Sequence, residues 1–415
     1  MEKIVLDKIE IKGHLIEYHY SVSEGLKQFF NTNIMFLEYE FGMSHVPKSI
    51  LTIPFVSCMA GLMWLSNCTL FVDEIDRTFY DAFKHIKRAY QELHYNILLK
   101  GVLIPSVLRN NEIAESQNAI LLFGGGVDCH CSYLRNKDTI THLCNINGWL
   151  SSPDTIDSVD ESDRIKTSEF AKMMNINSLH VRSNFASQFV LSSFNKAFGV
   201  SYWYTYLHSM AFISIAMPLC CVKSISTIII ASSFTKDRAD TTCSSFITTD
   251  SEFRFGKNGS VVHDGFELNR QEKVRLLVEN KRSIGYLYPI QACSFNDHNC
   301  AECEKCFRTI IAIVAEGGNP ADFGFEIQDG LLNHWKRIIS RDIWQWGLNK
   351  ENYYYYYYTK QRMRENYERI EDKEFVDWLL NFDFDKAKRE GLRRYYRQNF
   401  LSILKRKIKE HLGIK

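Results

Sequence analysis

The sequence predicts an α/β protein: a mostly parallel central sheet, a small α+β unit on its N-terminal side and an aromatic, helical region on its C-terminal side. Three observations carry this expectation. From Ala119 onward, short apolar runs alternate with helical stretches, and parallel neighbours require such crossovers. The first of those runs enters three consecutive glycines, Gly124, Gly125 and Gly126. Four cysteines, Cys293, Cys300, Cys303 and Cys306, then stand within fourteen residues.

A chain of 415 residues exceeds one typical core, so two or three domains are expected. Its 45% hydrophobic and 24% charged residues are those of an ordinary globular protein. The formal net charge of +1 gives no global pull toward nucleic acid. The opening MEKIVLDKIEIKG carries acidic residues and no apolar stretch, so no secretory leader is expected. Twelve cysteines are then expected as reduced thiols in a cytoplasm. The most apolar long stretch, 210–234, is broken by Pro218 and Lys223 and falls short of a transmembrane segment.

Residues 1–115 read as the N-terminal α+β domain. KIVLDKIEIKG and HLIEYHYSVS suggest a hairpin turning at Gly13, NIMFLEYEF a third strand, 48–64 a helix, CTLFVDE a strand and 75–94 an amphipathic helix. The polar segment SVLRNNEIAESQN breaks the pattern and marks a boundary. The central domain, 116–320, offers strands at 119–123, 141–147, 178–182, 227–232 and 286–291. Beyond it, 321–415 is aromatic and charged, with six consecutive tyrosines at 353–358. Residues 386–415 hold eleven basic against two acidic side chains, interleaved with aromatics. That segment suits RNA, an acidic protein partner or a membrane surface, and equally an amphipathic helix packed on its own domain.

The spacing Cys-x6-Cys-x2-Cys-x2-Cys fits four thiolates around one tetrahedral ion, with structural Zn2+ favoured by the soft ligand set. An iron–sulfur cluster and free or disulfide-bonded cysteines are the alternatives. In LLFGGGVDC, glycines let amide groups approach an anion, and the start of a following helix adds positive potential. A ligand-free tight turn would tolerate the same glycines.

FGGGVDC resembles the SGGxDS loop of the N-type ATP pyrophosphatases, and the cysteine cluster follows about where 7-cyano-7-deazaguanine synthases, the QueC-type enzymes, carry a zinc knuckle. The resemblance covers roughly residues 117–320. CAECEKCFRT and the N-terminal IPFVSCMAG and TLFVDEID also look like larger QueC-like proteins of surface-polysaccharide and anti-phage gene clusters. It implies an adenine-nucleotide α-hydrolase-like fold and ATP-dependent adenylation of a carboxylate or amide, with pyrophosphate released and AMP then displaced by ammonia or another amine. Gly124, Gly125, Gly126, Val127 and Asp128 would hold the phosphates of ATP, with Asp128 near Mg2+ or pyrophosphate. Asp128 and Cys129 are the candidate catalytic positions. Gly124 and Cys129 replace the family's two serines, and a thiol is a poor donor. The loop could thus serve a slow enzyme or a binding module. Candidate pocket residues are His208, Ser232, Ser233, Asp237, Arg270 and Lys305, each also explicable by packing, capping or offset of thiolate charge. The carboxylate could belong to a small molecule or a protein, the latter presented through the N- or C-terminal region.

Overall fold

A computed structural model describes residues 2–148, 158–236, 242–284, 289–293, 298–347 and 353–400. They form two compact units, 1–269 and 270–415.

In the first unit, β1 (Lys3–Lys12) and β2 (Leu15–Val22) form a hairpin whose turn uses Gly13 at φ +67. Then follow β3 (Ile34–Tyr39), α1 (Lys48–Ser66), β4 (Thr69–Asp76), α2 (Arg77–Leu93) and β5 (Val102–Arg109). The alternation continues with β6 (Ala119–Leu122), α3 (Val127–Asn136), β7 (Ile140–Asn147), α4 (Ser158–Met173), β8 (Asn177–Ser183), α5 (Leu191–Phe198), α6 (His208–Lys223) and β9 (Thr227–Ala231). A short α7 (Ile247–Asp250), β10 (Arg254–Phe255) and β11 (Gly259–Asp264) complete it.

All of these strands join one mixed, mostly parallel sheet in the order β10-β11-β9-β6-β7-β8-β3-β2-β1-β4-β5, eleven strands among the described residues. Its run β8-β7-β6-β9-β11 is parallel throughout. Counted along the chain, that run has the order 3-2-1-4-5, so the chain reverses direction of progress at β6. Ligands of open α/β sheets sit outside the carboxyl ends of strands at such a reversal, and there the glycines lie.

The border expected near residue 115 does not interrupt the sheet. The antiparallel pairing of β3 with β8, Leu37 with Ser183 and Tyr39 with Val181, joins the two halves. The first part of the polar linker is taken up by the edge strand β5, paired in parallel with β4. Residues 289–291 of the expected fifth parallel strand are not in a strand, and 286–288 lie outside the described residues. β11 takes that place, because the hairpin from β10 returns the apolar GSVVHD alongside β9.

Two helical stretches, Lys48–Ser66 and Trp203–Lys223, are long and apolar enough to cross a membrane, but 89% and 78% of their apolar windows are buried inside the protein. Each carries an interior proline, Pro54 and Pro218, which disturbs the backbone hydrogen bonds of the preceding turn. The sheet supplies donors there. Tyr18 of β2 gives its hydroxyl to Leu51 O at 2.8 Å, and Tyr39 of β3 gives its own to Ile215 O at 2.9 Å, each three residues before a proline. Burial pushes both phenols well above their usual range, so they remain donors.

A Cβ on Gly61 of α1 would lie 2.6 Å from Tyr206 Cβ and 2.7 Å from Tyr202 Cε2. Gly61→Ala is therefore expected to cost about 1–3 kcal/mol through overpacking, measured by urea unfolding. An unchanged midpoint would contradict this close approach.

The second unit consists of α8 (Arg270–Ile284), α9 (Glu304–Ala315), α10 (Leu331–Asp342), α11 (Tyr353–Glu365), α12 (Lys373–Asn381) and α13 (Phe384–Gln398). The border expected at 320 falls inside it. Phe307 explains why: ring centroids of Trp335, Trp346, Tyr356 and Phe384 lie 4.6, 5.3, 5.9 and 6.1 Å from its own, so the cysteine-rich segment shares one aromatic core with the C-terminal helices. The tyrosine run starts α11, with Tyr356 buried and Tyr357 exposed.

Candidate functional site

β6 ends at Leu122, and the glycines lead into α3 within five residues. Gly125 has φ +71, a backbone region that glycine enters at little cost. A Cβ on Gly124 would meet nothing within 4 Å. Gly126 caps α3 with extended backbone, Val127 is its buried first residue, and Asp128 follows in the first turn, where the helix dipole favours a negative group.

The turn is clamped through the Gly126 carbonyl. It accepts from the His130 amide at 3.1 Å, from the Cys129 thiol at 3.1 Å and from His130 Nδ1 at 2.9 Å. His130 packs against Phe123 and Phe170, and desolvation lowers its pKa to about 4, leaving it neutral. Burial pushes the Cys129 thiol up to about 12, with backbone groups of the three glycines partly opposing. Cys129 is therefore a thiol turned onto its own turn, not a thiolate nucleophile near neutral pH.

Asn145 of β7 was not singled out by the sequence. Its amide donates to Phe123 O at 3.3 Å, while its buried Oδ1 accepts no hydrogen bond. It offers an acceptor beside the carboxyl end of β6. The only sequence signal was a polar residue inside an apolar strand.

α3 is also tied to β11, two strands along the sheet from β6. Ser132 donates to Asp264 at 2.7 Å, Arg135 Nε reaches both oxygens of Asp264 at 3.2 Å, and Arg135 also grips Glu267. These carboxylates thus position the helix behind the glycine turn.

His208 opens α6 against Trp203 and Phe212, with its pKa lowered to about 4 by burial. It is a packed histidine. Ser232 is buried, and its hydroxyl donates to Phe234 O at 2.7 Å, whereas Ser233 is exposed. Asp237 lies outside the described residues.

In the second unit, Arg270 opens α8 and reaches Thr309 Oγ1 at 3.4 Å. Burial lowers the pKa of Lys305, assisted by the charges of Arg308 and Arg270. Arg308 stands 3.7 Å from Glu304 and over the Tyr355 ring.

The sulfur atoms of Cys293, Cys300, Cys303 and Cys306 all lie within 4.8 Å of one another. Cys293 and Cys300 are 3.7 Å apart, Cys300 and Cys306 3.9 Å. Four sulfurs about 2.3 Å from a tetrahedral zinc stand about 3.8 Å from each other, so the cage has the right size. Amides of Glu302 and Cys303 point at Cys300 Sγ (3.4 and 3.3 Å), and that of Cys306 at Cys303 Sγ (3.5 Å). Such donors stabilise thiolates.

Hydrogen bonds from Cys303 and Cys306 hold the Cys300 thiol well below its usual range and push the two donor thiols above theirs. The turn between the ligands puts Ala301 at φ +51, and its carbonyl accepts from His334 Nε2 at 2.8 Å. This group could hold a structural metal such as zinc. With four thiolates as ligands, no position would remain for chemistry. A second group, Glu10, Glu17 and His19, is already met by an ammonium, since Lys12 Nζ lies 2.8 Å from Glu17 and 3.8 Å from Glu10.

The fold and its sites thus define a mixed α/β protein with a glycine turn at the sheet's reversal point and a four-cysteine centre. No family model and no curated protein matches the chain.

Proposed function

We propose that this chain is a QueC-like, ATP-dependent enzyme that adenylates a carboxylate or amide and passes the acyl group to ammonia or another amine. The observation that supports this most is the coincidence of the glycine turn, the start of α3 and the 3-2-1-4-5 reversal at β6. An adenine-nucleotide α-hydrolase-like domain would use that location for phosphate. In this reading the amides of Gly124, Gly125 and Gly126 receive the phosphates, and Asp128 is the group that would hold Mg2+. A substrate carboxylate oxygen attacks the α-phosphorus, the bond to the β-phosphate oxygen breaks, and pyrophosphate leaves. The fixed amides stabilise that developing charge without reorganising. The cysteine centre would hold its segment in shape.

The carboxylate class extends from a deazaguanine-type base to a protein terminus. ATP–pyrophosphate exchange by the purified chain, with candidate carboxylates added, tests the reading. Asp128→Asn is expected to lower exchange by on the order of 100-fold; full retention would move the active site elsewhere. One observation favours a second reading, a nucleotide-binding module of low activity in a multi-protein system: the Cys129 thiol spends its hydrogen on Gly126 O and offers none to phosphate. ATP binding without exchange for any carboxylate would support that module.

A further inference from the structure

α13 settles one face against its own unit and leaves the other exposed. Phe384 and Gly391 are buried. A Cβ on Gly391 would stand 3.2 Å from Ile343 Cγ2 and 3.2 Å from Trp344 Cβ, so the helix backbone docks closely there. Tyr395 stacks on Trp344 with ring centroids 3.8 Å apart and planes 19° from parallel, and Arg394 donates to Ser340 O of α10 at 2.9 Å. These contacts fix the orientation of the helix.

Successive helical residues turn by about 100°, so Lys386, Arg389, Arg393, Tyr396 and Arg397 fall along one narrow stripe opposite the docked face. All five are exposed, and so is Phe400, just past the helix. Among the described residues none of these four cations is in an ion pair, although Glu390 borders the stripe. Arg341 and Arg362 of the same unit are instead each held by two carboxylates. Four like charges along a line repel one another mildly in water and attract a linear polyanion.

Within the stripe, Tyr396 is 57% exposed. Its ring meets that of Tyr395 edge to face, with centroids 5.7 Å apart and planes at 67°, and Tyr395 rests in turn on Trp344. A ring braced in this way offers a stacking surface with little rotamer freedom left to lose.

A single strand of nucleic acid presents phosphates in a row and unpaired bases beside them, which cations and an aromatic ring on one line can meet together. A bilayer needs a continuous exposed apolar face. Here the apolar side of α13 is spent on Ile343 and Trp344, and the exposed stripe carries four charges. An acidic peptide would answer the cations and leave the ring unused.

We propose that the exposed stripe of α13 binds single-stranded nucleic acid, with phosphates on Lys386, Arg389, Arg393 and Arg397 and a base stacked on Tyr396. RNA and DNA share both features, so the surface takes either. This assignment is independent of the adenylation reading.

Fluorescence anisotropy of the full chain with labelled oligo-uridine or oligo-thymidine tests it. Four phosphate contacts on a single strand give a salt slope of about −3, so raising salt from about 50 to about 200 mM should weaken binding about 50-fold. Arg393→Gln combined with Arg397→Gln should halve that slope. Tyr396→Leu should weaken binding about tenfold and leave the slope unchanged. Both variants alter exposed positions, and unchanged tryptophan fluorescence checks that they fold. Absent binding of the wild-type chain, affinity that neither variant lowers, or tighter binding to anionic lipid vesicles or polyglutamate at equal salt overturns the proposal. ATP–pyrophosphate exchange, measured separately, decides the adenylation reading alone.

Discussion

Cys303→Ser is expected to strip the chain of stoichiometric zinc and to unfold much of residues 270–415. The reason is linkage: a metal held there would bind the assembled thiolate cage, so its binding energy would be folding energy, roughly 10–16 kcal/mol for structural zinc in small fingers. A whole domain is stable by only about 5–15 kcal/mol. The effect should spread, because Phe307 adjoins Cys306 of the cage and sits against Trp335, Trp346, Tyr356 and Phe384. Elemental analysis gives the zinc content, and tryptophan fluorescence during chelator titration gives the coupled unfolding. Zinc retained at the wild-type level would remove Cys303 from the ligand set.

The second large effect is expected at Glu316. Its side chain is 4% exposed and takes a two-pronged contact from Arg362, Nε at 3.0 Å and a terminal nitrogen at 2.7 Å. Gln271 donates to it at 2.9 Å and Asn366 at 3.3 Å. The arrangement ties α8, α9 and α11 together through a carboxylate that accepts from Gln271, Arg362 and Asn366. Glu316→Ala leaves those donors facing a void and should cost about 3–5 kcal/mol in urea unfolding. Replacing Glu316 by Leu and Arg362 by Met together should cost clearly less than the sum of the single changes, since no charge is then stranded. Strict additivity would mean that the pair is solvated and weak.

Local features were legible where one residue type has one physical use. Gly13 predicted its turn, and the alternating apolar runs predicted β1 to β4 and β6 to β9 within a residue or two. Cysteine spacing predicted a cage of four sulfurs. What periodicity does not report is which strands meet. Nothing in NIMFLEYEF announces that it pairs with NSLHVRS, so a single sheet read as two domains. β5 was hidden because Pro105 and Ser106 broke an otherwise apolar run, although an edge strand tolerates proline. At the glycine turn, sequence identified the bend but not the fate of Cys129, which depends on a carbonyl three residues back. Asn145 escaped because it is an ordinary polar residue until its neighbours are known.

The seam between β3 and β8 has a consequence for synthesis. Glu38 and Arg182, which meet there, are 144 positions apart. A ribosome adding about 5–20 residues per second would leave the β3 margin bare for many seconds before its mate emerges. During that interval the nascent N-terminal half exposes an unzipped margin to other chains. Production of residues 1–115 alone should therefore yield aggregates, and co-expression of the remainder in trans should rescue solubility only if the two pieces find each other before that margin self-associates.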